Sequence, residues 1–145
     1  MRTVKEIEDA IIATLTASAL GGICKSIKPY QCEIDVLLQE LKRLTISLPA
    51  SLVLYDGSKF TLAGTGVHLE DIAYSIVFVA KSLRGRDALR LGVYEMLELG
   101  KDVLENSNLG LDDIKPVRLI AVEPALITQE FSVYILGIST GFVRE

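Results

Sequence analysis

The most suggestive chemical cluster in the chain is basic. Arg84-Gly85-Arg86 is followed by Arg90, about one turn into a predicted helix. Arginines in a loop that opens a helix can bind a phosphate or a carboxylate, because the helix N-terminus adds its own partial positive charge. A solvated basic loop is the more common outcome for such residues. A third interpretation is that these arginines pair with an acidic patch on a neighbouring subunit.

The other reactive residue types form no catalytic pattern. His68 is the sole histidine, so a metal site or a serine–histidine pair built on it has no second imidazole, and we interpret it as a loop residue. Gly64-Thr65-Gly66 lacks the third glycine and the Lys-Ser/Thr ending of a phosphate loop, and it is typical of a flexible turn. We therefore predict no enzyme, and no catalytic, cofactor-binding or metal-binding residues.

Two pairs of adjacent carboxylates, Glu70-Asp71 and Asp112-Asp113, are the remaining candidates for acid–base chemistry. Adjacent residues project in different directions from a strand or a helix, so such pairs rarely converge on one substrate atom. Solvated loops or a helix N-terminus explain both pairs. We expect neither pair to be catalytic.

The composition of the chain excludes several protein classes. Its 145 residues carry a net charge of -4, 50% are hydrophobic, only 23% are charged, and the mean hydropathy is +0.39. A chain of this length makes one domain, 1–145, with a sufficient core of its own. No stretch reaches the roughly 20 apolar residues of a membrane span, and an acidic chain lacks the basic face of a nucleic-acid binder. The apolar excess therefore predicts a surface that a protein partner covers.

The N-terminal segment contains an apolar run, Ala10–Ile23, that ends at Cys24. A signal peptide needs a positively charged flank, whereas Glu6 and Glu8 precede this run. We therefore expect a retained helix and synthesis in the cytoplasm. Cys24 and Cys32 lack the close spacing of a zinc site and are expected to be reduced thiols.

Hydrophobic spacing divides the chain into helices and strands. Helical periodicity predicts one helix from about Thr3 to Leu20 and a second over Ile34–Leu41. Alternation and turn residues predict the first strands. They are Ile23–Ile27, Leu52–Tyr55 closed by a turn at Asp56-Gly57, a weaker strand over Phe60–Val67, and the clearest strand, Ile72–Lys81.

A long helix capped by Asp87 follows. Gly92 and Gly100 fall on or near its apolar side, and each costs a helix about 1 kcal/mol relative to alanine, which predicts close approach of another backbone or a break at Gly100. Val117–Val122 and Phe131–Ile138 complete a final strand pair. This order predicts an α+β fold, a mainly antiparallel or mixed sheet with helices packed on one face. The opposite face or an edge strand is then free to meet another subunit.

Several segments of the chain resemble a known family. They are Val4-Lys5-Glu6-Ile7-Glu8-Asp9-Ala10-Ile11, Leu48-Pro49-Ala50 leading to Tyr55-Asp56-Gly57, Leu83-Arg84-Gly85, and Gly92-Val93-Tyr94-Glu95-Met96-Leu97. Together they span most of the chain and are similar to a family of small tail-region proteins of Mu-like phages and prophages. The resemblance implies an α+β shape similar to that of the tail terminator and tail-completion proteins of long-tailed phages.

Such proteins form rings, commonly hexamers, that cap the head-proximal end of the tail tube, stop its polymerisation and join it to the head. The resemblance therefore implies a structural protein without cofactors, present in the host cytoplasm and in the virion tail. Its implied partners are copies of itself, the tail tube and the head connector. An acidic lumen would let DNA pass without specific binding. Only Arg84, Arg86 and Arg90 are candidates for an assembly contact.

Two other functions stay open at this point. One is a different head–tail joining or minor tail role with the same fold. The other, from a different class, is a small cytoplasmic domain that binds an anionic ligand through the Arg84–Arg90 region. Light scattering at several concentrations would reveal a ring, and thermal shifts with nucleotides or phosphorylated metabolites would reveal ligand binding.

Overall fold

The computed structural model describes residues 2–31, 34–41, 48–81, 86–128 and 130–144. Helix α1 (Val4–Ala17) begins at Thr3, whose Oγ1 accepts a hydrogen bond from the backbone N–H of Glu6 at 3.1 Å. Its buried residues recur once per turn, and they are Ile7, Ile11 and Leu15. A separate short helix, α2 (Leu20–Ile23), follows. The predicted N-terminal helix is thus confirmed, with an interruption at Ser18.

The remaining elements form one mixed sheet and two further helices. In chain order they are β1 (Ser26–Pro29), α3 (Ile34–Glu40), β2 (Ala50–Gly64), β3 (Val67–Lys81), α4 (Arg86–Leu104), β4 (Arg118–Ile127) and β5 (Phe131–Arg144). The sheet order is β1-β2-β3-β5-β4, and among the described strands only the β1–β2 pair is parallel. The predicted α+β fold with a mixed sheet is confirmed.

Strand β2 differs from its prediction. The predicted turn at Asp56-Gly57 is wrong, because β2 continues through it and pairs with β3 along both halves. Pairing passes from Tyr55–Tyr74 directly to Gly57–Ala73, which leaves Asp56 as the extra residue of a β-bulge. Gly57 has a φ of 122°, a conformation that favours glycine. The turn-type residues therefore serve a bulge in the middle of a long strand.

Helix α4 runs without a break through Gly100 to Leu104. A Cβ added at Gly100 would lie 2.7 Å from Cζ of Phe78, a fully buried residue of β3. Both predicted reasons for the helix glycines are wrong as stated, since the helix does not break at Gly100 and, among the described residues, no other backbone is a nearest neighbour of a Cβ added at Gly92 or Gly100. The approaching group is an aromatic ring rather than a backbone.

The sheet carries a core on each face. Residues at even positions of β3, such as Ile76 and Phe78, pack with α1 and α4. The helices were predicted to share one face, and α3 is the exception, because its Leu37 packs in a second cluster with Val77 of the opposite face. Part of the second face is therefore covered, and the surface left for a partner is smaller than the sequence indicated.

Candidate subunit interface

The outer half of the β2–β3 hairpin extends past the strand that flanks β2. Strand β1 pairs with β2 only over Ala50–Val53, so among the described strands none pairs with the outer side of Ser58–Gly64. Phe60 and Leu62 lie on this half-strand and are 60% and 67% exposed. We call Ser58–Gly64 the β2 free edge. It combines unpaired backbone groups with exposed apolar side chains, a combination that favours pairing with another chain.

A buried carboxylate holds this half of the hairpin to the rest of the sheet. Glu70 of β3 is 4% exposed, and its two oxygens accept hydrogen bonds from Ser58 Oγ at 2.9 Å and from Arg144 Nη1 at 3.3 Å. The Tyr55 hydroxyl lies 2.6 Å from Ser58 Oγ and extends the network. Because these residues come from β2, β3 and β5, Glu70 links three strands of the sheet.

The expectation that Glu70-Asp71 is a solvated pair is therefore wrong for Glu70. The register of β3 explains its burial, since Glu70 lies on the same side of the strand as Ile72 and Tyr74. Extending the predicted alternation of β3 by one step towards the N-terminus would have found this position.

Tyr74 anchors helix α1 to the base of the hairpin. Its hydroxyl donates a hydrogen bond to the Val4 carbonyl at 2.8 Å, and its ring lies 5.7 Å from that of Tyr55. Burial, with a smaller contribution from the negative charge of Glu8, raises the pKa of Tyr74 well above its ordinary value. The phenol therefore stays protonated and keeps donating at physiological pH.

Strand β4 forms the opposite edge of the sheet. It pairs with β5, and among the described strands it has no second neighbour. Its outward side chains include Ile120, Val122 and Ile127, which are 60%, 41% and 52% exposed. A register shift at Ile120 interrupts its N-terminal half, and Pro124 and a second register shift interrupt its C-terminal half, as is common in edge strands. The sheet thus exposes apolar residues at both of its edges.

The predicted arginine cluster spans the start of helix α4. Arg84 lies outside the described residues. Arg86 and Arg90 lie within α4, whose backbone is described there, but their side chains are outside the described part of the chain. The interpretations of this cluster therefore stay predictions.

The structure places the other sequence candidates in ordinary roles. His68 is exposed within β3, opposite Leu62, so the prediction of a loop residue is wrong. The turn predicted at Gly64-Thr65-Gly66 is confirmed, because Thr65-Gly66 forms the turn between β2 and β3. Cys24 is a free thiol 3.3 Å from Ser51 Oγ, and burial raises its pKa; Cys32 lies outside the described residues.

The second carboxylate pair binds the N-terminal segment. Arg2 Nε donates to Asp113 Oδ1 at 2.8 Å, and Arg2 Nη2 lies 4.0 Å from Asp112 Oδ1. The hydrogen bond from Arg2 lowers the pKa of Asp113 below its ordinary value. These carboxylates therefore take part in a surface ion-pair network that links the chain's start to the loop before β4.

An open groove of about 880 Å³ between α1 and β2 is acidic. Its lining includes Glu8, Asp9, Asp35 and Asp56, with Lys5 as a basic member. Such a lining repels anions and so does not suit the phosphates or carboxylates considered for the arginine cluster. Across the described residues, no three His, Cys, Asp or Glu side chains lie close enough to hold a metal ion. The described helices include none long and apolar enough to cross a membrane.

Comparison with known proteins identifies the family. The family described as Bacteriophage Mu, Gp37 matches residues 3–142, which is nearly the whole chain. The chain belongs to this family. No curated protein matches it. Membership of the Bacteriophage Mu Gp37 family confirms the resemblance to Mu phage proteins and indicates a phage structural protein.

Proposed function

We propose that this chain is a ring-forming subunit of a phage tail, a terminator or tail-completion protein that caps the tail tube and joins it to the head. Its family membership supports a structural role in a phage particle. The observation that carries the proposal further is the pair of exposed apolar edges at opposite sides of the sheet, one on β2 and one on β4.

Two different exposed apolar surfaces on one subunit favour a ring. A two-fold dimer uses the same surface on both subunits, whereas a head-to-tail contact joins one surface of a subunit to a different surface of the next. When the rotation between neighbours closes, such contacts produce a ring. The β2 free edge and β4 differ in length and in sequence, as a head-to-tail contact requires.

The proposal accounts for the apolar, weakly charged composition. Half of the residues are hydrophobic, and several large ones stay exposed on the isolated subunit. Burial between neighbours would remove them from water, which stabilises association by about 25 cal/mol per Å² of apolar surface. In this proposal the protein is not an enzyme. It assembles in the host cytoplasm, most simply as a hexamer, and contacts the tail tube and the head connector in the virion.

Deleting the gene from a phage of this family tests the proposal. Without a cap, tail tubes should grow to variable and excessive lengths, and heads should lack attached tails. Supplying the wild-type chain from a plasmid should restore particles of uniform length. Electron microscopy reads out both features. Normal tails of uniform length, attached to heads in the deletion strain, would contradict the proposal.

A further inference from the structure

We infer that the β2 free edge of one subunit pairs, antiparallel, with the edge strand β4 of the next copy, so that Lys59–Gly64 lies against Arg118–Glu123. This inference rests on the proposed ring and names the contact that would build it. It joins the sheets of neighbouring subunits into one continuous sheet.

The strand directions allow this pairing without any rearrangement. Strand β2 is antiparallel to β3, β3 to β5, and β5 to β4, so β4 runs opposite to β2. A copy placed at the edge of the sheet in the same orientation therefore presents β4 antiparallel to the β2 free edge. The helices of both copies then stay on the same side of the joined sheet.

The apolar residues set the register. Placing Phe60 opposite Val122 brings a large exposed hydrophobic residue of one edge against one of the other. Both are on the helix-bearing side, since Phe60 pairs with Glu70 and Val122 pairs with Leu136 within their own sheet. Ile120 is the extra residue of a β-bulge and lies on the other side of the sheet, beside Gly137. Cross-strand apolar pairs of this kind are a main source of sheet stability.

The same register pairs opposite charges and matches the ends of the two strands. It places Lys59 opposite Glu123, and both are exposed on the other side of the sheet. At one end, Gly64 and Arg118 are the last residue of β2 and the first of β4. At the other end Pro124 follows Glu123, and because proline cannot donate to a ladder, pairing stops there.

Cysteine cross-linking tests the contact. In a background with Cys24→Ser and Cys32→Ser, chains carrying Phe60→Cys and chains carrying Val122→Cys are mixed and oxidised mildly or treated with a short thiol cross-linker. We expect a covalent dimer from the mixture, at a yield at least several-fold above that of either chain alone. The matched control replaces Val122→Cys by Val143→Cys, an exposed residue of β5 beyond its pairing with β4 and on the other side of the sheet.

The outcomes separate this contact from the proposed function. Closed oligomers with a cross-link between positions 60 and 122, and none between 60 and 143, support it. Closed oligomers in which the 60–122 yield does not exceed the control overturn the contact and leave the ring intact. Monomers at every concentration overturn both the contact and the ring.

Reversing the charged pair adds an independent test. Lys59→Glu or Glu123→Lys alone puts like charges opposite each other and should weaken association about fivefold. The double variant restores opposite charges and should return association to near the wild-type value. Glu123 is exposed and lies opposite Ile135 in its own sheet, so Glu123→Lys should keep the thermal stability of the monomer. Lys59 lies opposite Asp71 in its own sheet, so the stability of the Lys59→Glu monomer is measured separately and its loss is subtracted from the effect on association. A double variant that associates no more tightly than the weaker of the two single variants overturns the register.

Discussion

Replacing Gly100 with alanine tests the packing of α4 on the sheet. The new Cβ would lie 2.7 Å from Cζ of Phe78, closer than real side-chain contacts allow. Phe78 is fully buried, so its ring cannot move into solvent and must displace its neighbours in the core. The change therefore sets the better helix propensity of alanine against a steric clash in the core.

The two effects have known sizes. Alanine in a helix interior stabilises by about 1 kcal/mol relative to glycine, whereas an extra methyl group in a tightly packed core costs about 1–3 kcal/mol. We expect the clash to win, with a net loss of about 1 kcal/mol in the free energy of unfolding. For a chain of this size the melting temperature should fall by about 2–4 °C.

Gly92 supplies the matched control on the same helix. An added Cβ there meets no atom within 4 Å, so Gly92→Ala should stabilise by about 1 kcal/mol through helix propensity alone. Calorimetry and denaturant unfolding at one fixed protein concentration measure both variants, since association shifts apparent stability. In a Phe78→Leu background, Gly100→Ala should lose its penalty, because the clashing ring is gone. Equal stabilisation by Gly100→Ala and Gly92→Ala would refute the reasoning.

Two further predictions concern buried polar groups. Tyr74→Phe should cost about 1 kcal/mol at neutral pH, because the Val4 carbonyl loses its donor. The raised pKa of Tyr74 means that its hydroxyl stabilises the fold fully below about pH 10 and that this stabilisation is lost as the pH rises further. The denaturant midpoint of the wild type should therefore fall more than that of Tyr74→Phe when the pH is raised from below to above about pH 10. An equal fall in the two proteins would contradict this. Glu70→Ala should cost about 2 kcal/mol by leaving Ser58 and Arg144 without their acceptor. Arg144→Ala, at a half-exposed position, should cost less than about 1 kcal/mol in the same unfolding assay, and equal losses would show that Glu70 has no special role.

Local patterns predicted those parts of the fold whose cause is local. Helix α1 and strand β3 followed from apolar residues at helical spacing and at alternate positions, because one buried face produces that periodicity directly. The continuity of β2 could not be predicted in this way. Asp56-Gly57 suits both a turn and a bulge, and only pairing with β3 on both sides of it decides for the bulge.

The sequence predicted that an apolar interface exists but did not predict which residues form it. Composition indicated that a partner covers apolar surface, yet Phe60 and Leu62 alternate along β2 just as buried residues do. Their exposure depends on where β1 and the helices end, which no local pattern records. The burial of Glu70 was missed because it depends on which side of β3 the residue lies and on a contact with Arg144, 74 residues away in the chain.

The measurement that tests the ring most directly is the mass of the intact assembly. Native mass spectrometry over a range of concentrations should show one closed oligomer with a single copy number, six times the 15.8 kDa subunit mass for a hexamer. Phe60→Asp should convert it to smaller species, because a charge would be buried at the contact. A species of 15.8 kDa at every concentration would contradict the ring.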